Sequence, residues 1–146
     1  MKVVSNASPL INLAAIDELD LLRRLYGRIT ISKAVWTEIV RLGKGRPGSR
    51  AVRSAKWVRV KAVRDRSLVA LLLEDLDPGE AESIALAREL GAHLLLIDEL
   101  RARRSAKLMG LRFTGLVGVL MEAARKGLIP VAGIESHPGA GPDDRP

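Results

Sequence analysis

The chain has 146 residues, 47% of them hydrophobic, with no cysteine, two histidines and a formal net charge of +7. A chain of this length buries roughly two thirds of its unfolded surface, so it folds as one domain without a disulfide or metal staple. The missing cysteines exclude a disulfide framework, a thiolate zinc site and a cysteine nucleophile. His93 and His137 are too few for a histidine-built metal centre, which leaves oxygen as the donor for any metal ion.

Short runs of branched apolar residues alternate with longer segments of helical period. Val3-Val4, Ile29–Ile31, Val58–Val60, Leu94–Ile97 and Arg112–Thr114 read as strands. Ser8 to Leu25 reads as two short helices broken near Asp17, and Ser32 is the expected N-cap of a helix over Lys33–Leu42. Gly43–Ser49 is the clearest internal loop. The apolar stretch Leu68–Leu76 is assigned to helix because it runs into the Asp77-Pro78 break. Asp77-Pro78-Gly79-Glu80 then opens a helix to Leu90, closed by Gly91. Helices over Glu99–Met109 and Leu116–Lys126 end at Gly110 and Gly127. This alternation predicts an α/β domain with a mainly parallel sheet over residues 1–135, followed by a disordered tail at 136–146. The first residues lack a secretory signal, and the longest apolar runs fall far short of the ~20 residues that span a bilayer, so a cytoplasmic protein is expected.

The charge is local. Residues 41–66 hold ten bases against the single acid Asp65, a balance of +9, whereas the remainder carries 14 bases against 16 acids. A concentrated basic segment suits a polyanion such as nucleic acid. An Arg-rich solvated connector is the competing explanation, since 17 of the 24 bases are arginine.

In a parallel α/β sheet, ligands bind beyond the carboxyl ends of the strands, where the strand order reverses. Asn6 follows the first strand and Asp98 follows Leu94–Ile97. A carboxylate there is stabilised either by a cation or by capping the helix at Glu99, and both readings stand. Glu80 lies in a helix first turn, where the helix dipole favours any acid. Glu82 lies about 200° further round the helix and cannot face the same site. Glu38, among Val35, Trp36 and Ile39, points inward and needs a partner. Asn6, Glu38, Glu80 and Asp98 together form an oxygen donor set suited to Mg²⁺ or Mn²⁺ and to phosphodiester cleavage.

Five blocks carry a resemblance in register. They are Val3–Ile11, Ala34–Val40, Pro78–Ala87, Leu96–Glu99 with Arg103–Lys107, and Thr114–Leu120. Over about residues 3–130 they resemble the PIN-domain superfamily, within it the VapC-like branch DUF3368. The resemblance implies a three-layer α/β/α fold and a Mg²⁺- or Mn²⁺-dependent ribonuclease, often the toxin of a toxin–antitoxin pair. By position it implies metal-site and catalytic roles for Asn6, Glu38, Glu80 and Asp98, with Ser8 supporting the first ligand and Glu99 as an additional acid. Glu82 is a weaker substitute for Glu80. Asn6 stands where the nuclease pattern has Asp, and so offers an oxygen without a charge.

Two functions follow as expectations. The first is an endoribonuclease whose phosphate contacts come from Arg46, Arg50, Arg53, Arg103 and Arg104, without base reading. The second is a catalytically weakened PIN-like module that binds RNA or protein, favoured by Asn6. A phosphate-loop protein is disfavoured because Gly43-Lys44-Gly45-Arg46 lacks the required spacing and does not follow a strand. An apolar helix such as Leu68–Leu76 either completes the core or exposes a patch for a homodimer or an antitoxin, and the family likeness favours a dimer.

Overall fold

The computed structural model describes residues 1–130; the tail expected at 136–146 and the domain boundary at 135 lie outside the described residues. Five parallel strands, β1 (Val3–Ser5), β2 (Ile29–Ser32), β3 (Val58–Lys61), β4 (Leu94–Leu96) and β5 (Phe113–Thr114), form one sheet in the order β3-β2-β1-β4-β5. The connecting helices are α1 (Ala7–Ala15), α2 (Asp20–Tyr26), α3 (Lys33–Trp36), α4 (Ser49–Ser54), α5 (Arg66–Leu72), α6 (Pro78–Leu90), α7 (Leu100–Leu108) and α8 (Leu116–Arg125).

Successive strand residues face opposite sides, and the core divides accordingly. Val3, Leu96, Ile29 and Ile31 join Leu10, Leu13, Leu22, Val35, Ile39 and Val119 on one side. Val4, Leu95 and Ile97 join Val69, Ile84, Leu86, Ala102 and Ala106 on the other. The result is the three-layer α/β/α arrangement that the alternation of elements implied. Val3 and Val4 of β1 and Leu95 and Leu96 of β4 are buried, and these short runs are apolar without alternation because helices cover both faces of the sheet there.

The break expected near Asp17 is present, and several other boundaries depart from the sequence reading for local reasons. Asp17 adopts a positive φ of 62° and separates α1 from α2. Lys33–Leu42 does not continue as one α-helix: after Trp36 it widens into a π-helical segment, Thr37–Leu42. The loop expected through Ser49 ends one residue early, since Ser49 opens α4, a short helix not foreseen. With Val52 as its one buried apolar residue, α4 offers little periodicity to detect. The helix of the Leu68–Leu76 stretch runs over Arg66–Leu72, started by Asp65, whose side chain accepts from the Leu68 N–H at 3.1 Å. No helix among the described residues is long and apolar enough to cross a membrane.

Candidate functional site at the carboxyl edge of the sheet

The chain runs from β1 outward to β3 on one side and from β4 to β5 on the other, so the order reverses between β1 and β4. That is where a crevice opens in such sheets. Pairing of Ser5 with Leu96 brings the residues that follow the two strands side by side. The Asn6 N–H donates to the Leu96 carbonyl at 2.9 Å, and the Ser5 hydroxyl donates to the Asn6 carbonyl at 2.8 Å. The backbone of Asn6 is therefore fixed, and its side chain is 4% exposed with Oδ1 lacking any hydrogen-bond partner. Ser8, half-buried in the first turn of α1, does not serve that oxygen. A buried carbonyl left unpaired costs about 1–3 kcal/mol.

Asp98 does not cap α7: the N-cap there is Glu99, with no side-chain cap bond. Asp98 Oδ1 instead accepts the Leu116 N–H at 3.0 Å, at the positive end of α8, and lies 3.6 Å from the Arg103 guanidinium. Its Oδ2 is buried and without a partner. Arg103 is held by donating from Nε to the Ile97 carbonyl at 2.9 Å and lies over the Phe113 ring, 5.4 Å from its centroid. Gly115 is required by close approach, because a Cβ there would collide with both Asp98 Oδ1 and the Arg103 guanidinium.

The third wall is the start of α6. Asp77 and Glu80 form a capping box, with the Glu80 N–H donating to Asp77 Oδ1 at 2.8 Å and the Asp77 N–H donating to Glu80 Oε1 at 3.1 Å. Gly79 inside this turn lets other oxygens come near. Around the position its Cβ would occupy stand Glu38 Oε1 at 3.0 Å, Asn6 Oδ1 at 3.2 Å and Asp77 Oδ1 at 3.6 Å. Glu38 is exposed as a residue, yet its carboxyl head reaches this group. Partial burial, then the negative charges of Asp77 and Glu80, push its pKa above the ordinary carboxylate value. Burial also raises Glu80, and the Asp77 and Glu99 charges add to it; the Asp77 N–H and Arg101 oppose the rise without cancelling it.

Asn6, Glu38 and Glu80 thus meet at the start of α6, with Glu99 acting on Glu80 through its charge, while Asp98 follows the strand paired beside the one that ends at Asn6. Asp77, read from the sequence as a helix opener only, belongs to the same group. Glu82 does not. Its oxygens accept from the Ala34 N–H at 3.0 Å and from Arg66 at 2.9 Å. Arg46, Arg50 and Arg53, with Lys44 and Ser49, line a separate cleft of about 420 Å³, while Arg104 is exposed on α7. Among the described residues, none of Lys44, Arg46, Arg50 and Arg53 forms an ion pair.

Among the described residues no three His, Asp or Glu side chains gather closely enough to hold a metal ion as a ready-made cage. A Mg²⁺-like ion does not need one, since it is commonly held by one or two carboxylates and keeps several waters. The crevice offers Asn6 Oδ1 and Asp98 Oδ2, both buried and unpartnered, with Glu38 Oε1 close to the Gly79 turn that Asn6 also lines. All are hard oxygen donors, so the residues present fit such an ion.

A family model described as a PIN domain, DUF3368, matches residues 2–135, and the chain belongs to that family. Its fold is similar to that of a PilT N-terminus domain protein from the hyperthermophilic archaeon Sulfolobus solfataricus P2. The TM-score is 0.64 at 19% identity, over 84% of this chain and 93% of that one. No curated protein matches the chain.

Proposed function

We propose that this PIN-domain protein is a Mg²⁺- or Mn²⁺-dependent endoribonuclease. The observation that carries the reading is the pair of buried, unpartnered oxygens, Asn6 Oδ1 and Asp98 Oδ2, at neighbouring strand ends where the sheet order reverses. A divalent ion held there by Asp98, Asn6 and Glu38, with Glu80 beside it, supplies activation of water and neutralisation of charge on the scissile phosphate. The chain's own part is to hold these oxygens still. Leu116 N–H and Arg103 fix Asp98, the β1–β4 ladder fixes Asn6, and the capping box fixes Glu80. The cleft lined by Arg46, Arg50 and Arg53 supports an RNA substrate, since unpaired cations hold phosphates without reading bases.

The toxin role and an antitoxin partner rest on the family likeness. The exposure of Leu71 and Leu73, 62% and 42%, on α5 and the turn after it supports a homodimer or antitoxin contact there. Asn6 itself favours a second reading, a PIN-like module with weakened catalysis that binds RNA or protein. The test is cleavage of defined single-stranded RNAs with and without Mn²⁺ by the parent and by Asn6→Asp. Cleavage by the parent supports the nuclease; cleavage only after Asn6→Asp supports the weakened module.

A further inference from the structure

Asn6 brings an oxygen to the crevice but no charge, and a hard divalent ion is attracted mainly by charge. The geometry points to Asp77 as the carboxylate that makes up this deficit. The inference rests on the metal-dependent reading above and extends it to a residue outside the family-derived set.

Asp77 Oδ1, Glu38 Oε1 and Asn6 Oδ1 come from three separate elements and converge on one turn, at 3.6, 3.0 and 3.2 Å from where a Gly79 Cβ would lie. Asn6 Oδ1 is buried, has no hydrogen-bond partner and lies against this group. Three acceptor oxygens around one glycine repel one another unless something positive lies among them or beside them. The capping box prevents Asp77 from turning away, because its Oδ1 is held by the Glu80 N–H at 2.8 Å and its own N–H by Glu80 Oε1 at 3.1 Å. Since that oxygen is already committed to the cap, Asp77 acts as a positioning residue, through its charge and through water on the ion, rather than by replacing Asn6 as a ligand.

A cap and a charge can be separated. Asn and Ser cap a helix about as well as Asp, so Asp77→Asn and Asp77→Ser keep the turn and remove the charge. The measurement is Mn²⁺ binding to the full-length protein by calorimetry or electron paramagnetic resonance, with the metal-free melting temperature recorded in parallel. Both variants are expected to bind Mn²⁺ about 10- to 100-fold more weakly than the parent, with a melting temperature close to the parent's. Adding Asn6→Asp to Asp77→Asn is expected to restore the affinity. Parent-like Mn²⁺ affinity in both variants overturns the role of Asp77 and leaves the metal site standing. A loss that Asn6→Asp does not restore confines Asp77 to capping and also overturns it. No Mn²⁺ binding by the parent defeats the metal reading and this inference together.

Discussion

On α6, Glu80 and Glu82 stand two residues apart and are buried alike, at 9% and 8% exposure, yet their charges meet opposite surroundings. Burial disfavours the Glu82 anion, but the Ala34 N–H, Arg66 and the Ser32 hydroxyl together outweigh it and hold its carboxyl below the ordinary range. Glu80 shares only one hydrogen bond with the Asp77 N–H and faces the charges of Asp77 and Glu99, so its carboxyl stays above that range. The first environment fastens one helix to another: Glu82 caps the start of α3, the helix that leads to Glu38. The second leaves negative charge uncompensated at a sheet edge where Asn6 and Asp98 also keep unpaired oxygens. Perturbed, unsatisfied groups gathered at a strand-order reversal are the mark of a site, and satisfied groups at equal depth are the mark of a scaffold.

That contrast can be broken at several points. The largest effect is expected at Gly115, where any Cβ collides with Asp98 and Arg103. Gly115→Ala should cut Mn²⁺-dependent RNA cleavage by about 100-fold, the usual cost of misplacing a reacting group by an ångström. The check is a cleavage assay alongside circular dichroism showing an intact fold. Next, Glu82→Ala leaves the Ala34 N–H without its acceptor and should cost about 1–3 kcal/mol in urea unfolding. The exposed Arg66 contributes little of this.

Smaller effects sharpen the picture. Arg50→Ala and Arg53→Ala should each weaken single-stranded RNA binding and reduce its salt slope by roughly 0.7, measured by anisotropy across a salt series. Unchanged slopes would remove the cleft from the RNA path.

The smallest effect is in pH. Glu38 and Glu80 have raised values in the fold, so the stability they carry is full below the ordinary carboxylate pKa and is lost as pH rises through their raised values. Glu82 is lowered, so its contribution is present above the ordinary value and lost as pH falls through its own. In metal-free protein at neutral pH, Glu38→Gln should therefore melt above the parent and Glu82→Gln below it, by about 2–4 °C or less. The Glu38→Gln gain should vanish in weak acid, at or below the ordinary carboxylate pKa, and the Glu82→Gln deficit at still lower pH. Melting curves across a pH series would check both signs.

The five strands were legible because buried parallel strands leave runs such as Leu94–Ile97, bounded by His93 and Asp98; the reversal of order between β1 and β4 rests on long-range strand pairing and was not. The separation of Glu80 from Glu82 was legible from helix geometry alone. The bond from Leu116 to Asp98 spans 18 residues and that from Ala34 to Glu82 spans 48, so no local pattern announces either. Asp77 was hidden by its own capping role, which explains its presence without any site. The widening after Trp36, which accompanies the presentation of Glu38, leaves no mark in an apolar stretch that suits an ordinary helix equally well.

The most direct test is cleavage of a defined single-stranded RNA by the parent and by Asp98→Asn, with and without Mn²⁺. Cleavage that requires Mn²⁺ and disappears in Asp98→Asn is the predicted result. Absence of Mn²⁺-dependent cleavage on every RNA tried, or cleavage that survives in Asp98→Asn, would contradict the assignment of this crevice as a nuclease site.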